Sequence, residues 1–151
     1  MQILVDADSC HREARELVMR ACKRLKIKAI FAANRLIPGL TADAQMELCP
    51  AGEGAADDRI AALAKPGDLV LSRDLPLAER LVDAGIIVLD DRGRVFTKEN
   101  INEQRSLRDF AVDLAESGLG MERIATYSKK DLKKLADSLD RELAKLTACN
   151  K

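Results

Sequence analysis

The chain is continuously apolar and rich in β-branched residues from Ile3 to Val5, then turns abruptly to Asp6-Ala7-Asp8. A run of that kind followed by a helical pattern predicts the first strand of an α/β sheet, buried on both faces. From Arg12 to Leu25 the period changes. Ala14, Leu17, Val18, Ala21, Cys22 and Leu25 recur at helical spacing with Arg and Glu on the other side, which predicts a helix packed on the sheet. Residues 28–33 read as a second strand ending at Asn34, Pro38-Gly39 as a loop, and 45–49 as a weakly alternating third strand.

Glycines 52 and 54 break the chain, and an apolar-periodic stretch through Ile60, Ala61, Leu63 and Ala64 then predicts a short helix with Asp57 and Asp58 near its first turn. Pro66-Gly67-Asp68 marks a turn. Residues 69–72 form a fourth strand, running into Arg73 and Asp74. A helix over 76–84 stops at Gly85, and a fifth strand over 86–89 closes on Asp90-Asp91. After the turn Arg92-Gly93-Arg94, Thr97 and Asn100 can cap a long helix reaching about Glu116. Finally, Leu132, Leu135, Ala136, Leu139, Leu143 and Leu146 lie on one stripe of a last helix, flanked by Lys129, Lys130, Lys133 and Lys134, which read as a solvated face. Strand and helix alternate throughout, so the expected architecture is an α/β three-layer sandwich with a mainly parallel sheet.

A length of 151 residues suits one domain over 1–151, with the last ~25 residues a helix. No apolar run approaches the roughly 20 residues a membrane span needs, and the start lacks the pattern of a signal peptide, so a cytoplasmic protein is expected. Cys10, Cys22, Cys49 and Cys149 form no C-x-x-C pair and the one histidine is His11, too little for a zinc site. A catalytic cysteine at Cys10 lacks a second histidine to serve as base. The formal net charge is zero, without the basic signature of a strong nucleic-acid binder.

The chemistry points to the carboxylates. Open α/β sheets bind ligands outside their strand C-termini, where the strand order reverses. Asp6 and Asp8 follow the first strand, Asp57 and Asp58 open a helix, and Asp74 follows the fourth strand. Asp8 or Ser9 could instead simply cap the first helix. A cluster of like charges calls for a cation, and oxygen ligands without histidine or thiolate suit Mg²⁺ or Mn²⁺ completed by a phosphate. A phosphodiester beside such acids needs cations of its own. The candidates are Arg92, Arg105 and Arg108, with Asn34 and Ser72 offering neutral hydrogen bonds.

Several of these residues also carry a resemblance. Val5-Asp6-Ala7-Asp8-x-Cys10, Ala33-Asn34, Ala56-Asp57 with Ile60, Gly67 to Ser72 with Asp74-x-Pro76-Leu77-Ala78, Arg92-Gly93, Thr97 with Asn100-Ile101, and Arg108-Asp109 together resemble the bacterial YaiI/YqxD family. That family is grouped by sequence with PIN-like and NYN-like domains, whose members are typically Mg²⁺- or Mn²⁺-dependent ribonucleases. The resemblance implies a five-stranded sheet in the order 3-2-1-4-5, with Asp6 and Asp74 at the switch point. It implies Asp6, Asp57 and Asp74 as the acids of a nuclease site, Asp8 as part of the family's own motif, and single-stranded RNA as substrate. Two other readings stand beside it. One is a non-catalytic RNA- or protein-binding module on the same fold. The other is a phosphatase of the haloacid dehalogenase type, because Asp6-x-Asp8 also looks like that superfamily's nucleophile and general acid.

Overall fold

The structure, a computed structural model, describes residues 1–8, 10–37, 44–49, 55–103 and 127–149. Its centre is a sheet of five parallel strands: β1 (Gln2–Asp6), β2 (Lys28–Ala33), β3 (Ala44–Leu48), β4 (Leu69–Leu71) and β5 (Ile87–Leu89), in the order β3-β2-β1-β4-β5. The order reverses between β1 and β4. β1, the most hydrophobic stretch at the start of the chain, therefore lies in the middle, with Ile3, Leu4 and Val5 all fully buried. An isolated antiparallel bridge from Leu89 to Val95 is the one departure from parallel pairing among the described residues.

Helices cover both faces. α1 (Arg12–Leu25) and a last helix (Lys129–Cys149) lie on one side, where Ala14, Val18, Ala21 and Cys22 meet Leu135, Leu139, Leu143 and Leu146 over Ile3, Val5, Phe31 and Leu71. On the other side α2 (Ala55–Leu63) and α3 (Leu75–Asp83) bury Ile60, Leu77, Ala78 and Leu81 against Leu4, Ile30, Val70 and Val88. Every second strand residue serves one face, so the two apolar layers divide the strands by parity. The lysines at 129, 130, 133 and 134 are exposed, as a solvated face requires.

Several boundaries differ from the sequence expectations for local reasons. α1 is capped by His11, whose Nδ1 accepts from the Glu13 N–H at 3.3 Å, while Asp8 turns away to accept from the Asn34 N–H at 3.0 Å. α3 starts one residue early because Asp74 caps it and Pro76 sits in its first turn, where a missing N–H costs nothing. The helix expected to reach about Glu116 opens with Thr97 and Asn100 bonded to each other's backbone N–H and is helical over 98–103. The rest of it lies outside the described residues.

Gly93 sets where the last helix can dock. It has φ +88, and a Cβ there would come within 2.5 Å of the Lys134 carbonyl carbon, while the Gly93 carbonyl accepts from the Ser138 hydroxyl at 2.6 Å. Gly67 has a similar φ of +99 but open space around it. Gly67→Ala should therefore cost only the backbone strain, on the order of 1 kcal/mol. Gly93→Ala adds a collision with backbone and should cost on the order of 3 kcal/mol, read as a lower urea midpoint. Equal losses for the two variants would show that the helix is not seated against this turn.

Candidate metal and phosphodiester site

Parity along the strands decides which side chains share the sheet's C-terminal edge. Leu4 of β1 and Val70 of β4 face α2 and α3, so two residues further along each strand Asp6 and Ser72 come to that same side. Asp6 is 5% exposed, and its Oδ2 accepts from the Ser72 hydroxyl at 3.2 Å. The same Ser72 oxygen accepts from the Asp74 N–H at 3.1 Å. Asp74 in turn caps α3, its Oδ1 accepting from the Leu77 N–H at 2.9 Å. One buried hydroxyl thus ties the carboxylate of β1 to the loop that carries the carboxylate of α3.

The third carboxylate arrives from α2. Asp57 lies in that helix's first turn, where its carboxyl feels both Asp74 and Asp6. Partial burial first, then the bond to Asp74 and the charges of Asp74 and Asp6, push its carboxyl from the ordinary 3.8 up to about 7. Three carboxyl groups from three segments are therefore gathered at the switch point, two of them at helix N-termini that favour negative charge. Of the three, Asp57 is the acid whose charged form this setting disfavours. Among the described residues no group of three or more acidic, histidine or cysteine side chains is arranged to hold a metal ion.

The other sequence-predicted residues have their own surroundings where they are described. Asp8 lies on the β2 side, bonded to the Asn34 N–H and 3.9 Å from Arg35 Nε. Asn34 is exposed at that strand end, whereas Ser72 is buried and already engaged as the bridge between Asp6 and Asp74. Arg92 stands beside Asp131 at the start of the last helix, a carboxyl held low first by the Ser128 N–H and further by Arg92. Arg105 and Arg108 lie outside the described residues. Asp58 points to solvent and pairs with Arg80 at 3.2 Å. Asp90 accepts the Arg92 and Arg94 N–H groups and so shapes the turn after β5. Cys10 is buried, and burial followed by the charge of Asp91 pushes its thiol up, which leaves little thiolate for nucleophilic work.

Arg73 and Asp91 have parts at this edge that sequence reasoning missed. Parity was the available signal: a residue one past Asp6, Ser72 or Asp90 in phase must face α1, and that is where Arg73 and Asp91 meet, 3.8 Å apart.

The raised Asp57 carboxyl sets a sign for stability. Its folded value lies above its unfolded value, so the stabilisation it contributes as an acid is fully present below pH 3.8 and is lost as pH rises through about 7. Wild-type melting temperature should accordingly fall relative to Asp57→Asn across that window in metal-free buffer. A difference that stays constant with pH would exclude the raised carboxyl.

Comparison with known proteins covers nearly the whole chain. Residues 4–145 match the profile described as "Uncharacterized BCR, YaiI/YqxD family". The chain is 47% identical to a UPF0178 protein of Treponema pallidum (strain Nichols) over 97% of its length and 83% of that protein's. It is 43% identical to a UPF0178 protein of Myxococcus xanthus (strain DK1622), over 97% of this chain and 96% of that one. No solved structure matches. With the strand-end carboxylates in place and a match of this length, the chain belongs to the YaiI/YqxD family.

Proposed function

We propose that the protein is a Mg²⁺- or Mn²⁺-dependent phosphodiesterase that cleaves RNA, with Asp6, Asp57 and Asp74 as its metal-holding acids. The observation that carries this reading is the convergence of these three carboxyls, from β1, α2 and the start of α3, on one edge, where Asp74 and Asp6 disfavour the charged form of Asp57. Folding gathers like charge there at a cost, and a divalent cation removes that cost. The donor set fits a hard cation: oxygen ligands alone, partly buried, at a ligand-binding position of a parallel sheet. Bound there, such a cation would polarise a phosphoryl oxygen and make a water more acidic.

The protein's own groups divide the remaining work. Ser72 orients the Asp6 carboxylate and fixes the backbone of Asp74. Asp74 keeps one oxygen on the α3 cap, leaving the other for the cluster. Asp57 must release its proton for all three acids to act as ligands, so cation binding is coupled to proton release and weakens below about pH 7. The grouping of this family with PIN-like domains supports the same chemistry, and RNA as substrate rests on that likeness.

Asp74→Asn and Asp74→Ala separate the cap from the acid. Asn caps a helix as well as Asp does, so Asp74→Asn should keep or raise stability while abolishing Mn²⁺ binding and Mn²⁺-dependent cleavage of single-stranded RNA. Asp74→Ala should lose both, together with about 1 kcal/mol of stability. Mn²⁺ binding is read by electron paramagnetic resonance of the free ion and cleavage on denaturing gels. Wild-type protein that leaves Mn²⁺ free at pH 8 would sink the proposal. Mn²⁺ binding without cleavage would leave a metal site on a binding module.

A further inference from the structure

The α1 side of the same edge carries a second polar assembly, centred on Asp91. This residue is 2% exposed. Its Oδ2 accepts from the His11 N–H at 3.1 Å, and its backbone carbonyl accepts from the Tyr127 hydroxyl at 2.7 Å. Those two bonds hold the His11 and Tyr127 rings against each other, with centroids 4.3 Å apart and planes 16° from parallel. The other carboxylate oxygen, Oδ1, is buried and has no hydrogen-bond partner, the one such side-chain atom among the described residues. Its companion is the Arg73 guanidinium, at 3.8 Å from Nε and with its side chain 53% exposed.

A buried carboxylate oxygen without a hydrogen bond is costly, so this arrangement does more than tie β5 to α1. Asp91 keeps a half-exposed cation and a stacked aromatic pair side by side. A guanidinium binds phosphate through two oxygens at once, and a ring already stacked offers a rigid surface to a base. The position supports the pairing. Arg73 stands between Ser72 and Asp74 in the chain, so the assembly and the carboxylate cluster meet across the edge of β4.

We propose that Asp91, Arg73, His11 and Tyr127 form a nucleotide subsite for single-stranded RNA, with Arg73 on a backbone phosphate and the His11 ring under a base. The subsite rests on the reading of the carboxylate cluster as a phosphodiester site. It places the strand across the sheet edge, with one nucleotide on the α1 face and the neighbouring phosphate over Asp6 and Asp74.

Fluorescence anisotropy with two labelled probes in EDTA tests it: a 12-nucleotide oligoadenylate and an abasic strand of equal length and charge. His11→Asn keeps an N-cap acceptor and removes the ring. It should weaken oligoadenylate binding about tenfold and leave the abasic strand unchanged. Arg73→Gln should weaken both probes and make the salt dependence shallower by about 0.7. Arg24→Gln, the same charge change on the opposite end of α1 where Arg24 pairs with Asp140 at 2.7 Å, should alter neither. Arg73→Lys guards against misfolding, because it keeps a cation on Asp91 and should retain the salt slope with reduced affinity. The subsite is overturned by an equal loss on both probes for His11→Asn, by an equal effect of Arg24→Gln and Arg73→Gln, or by no wild-type binding of either probe. Mn²⁺ binding by the wild type is scored separately, so failure of the carboxylate cluster and failure of this subsite give different results.

Discussion

Three carboxyl groups that repel one another are held together by a sheet that gains far more from burying its strands than it loses at one edge. β1 sits at the centre with every side chain from Ile3 to Val5 fully buried, so Asp6 has nowhere to go once the strand is in register. Ser72 enters beside it because β4 pairs directly with β1. Its hydroxyl then links Asp6 to the backbone of Asp74, which begins α3. The position of α2 completes the set, since Ile60 anchors that helix in the core and leaves Asp57, one turn earlier, at the edge. Charge repulsion is the consequence of good packing, and it shows in the raised carboxyl of Asp57.

The two faces of the same edge differ in chemistry because parity differs. Residues in phase with Leu4 and Val70 come out as oxygen donors beside α2 and α3. Those in phase with Ile3 and Leu71 come out beside α1, as Arg73 and Asp91 around Cys10. A single alternating backbone thus separates an acidic pocket from a mixed one by the thickness of the sheet.

Periodicity and punctuation in the sequence determined the elements and the α/β class. Parallel strands buried on both faces announce themselves as unbroken apolar runs, and helices that cover them as one-sided stripes. The Arg12–Leu25 helix and the Lys28–Ala33 strand have the bounds the pattern predicts. Strand order came from family resemblance, since hydrophobic patterning says nothing about which strands are neighbours. The weak alternation over 45–49 reflects an edge strand, half-buried along most of its length, whose side chains are under little packing constraint.

At the edge itself, local pattern identified carboxylates at strand ends, and it was the family resemblance that singled out Asp6, Asp57 and Asp74 among them. Asp8 is spent on the Asn34 N–H and Arg35, Asp58 on solvent and Arg80, Asp90 on its own turn, while Asp6, Asp57 and Asp74 meet. Nothing local distinguishes these groups, because each is a short acid beside a helix or strand end. Only the tertiary structure decides which of them meet, through pairing register, strand parity and the direction from which α2 approaches, and those depend on contacts between residues distant in the chain, as from Asp6 to Ser72 with its separation of 66.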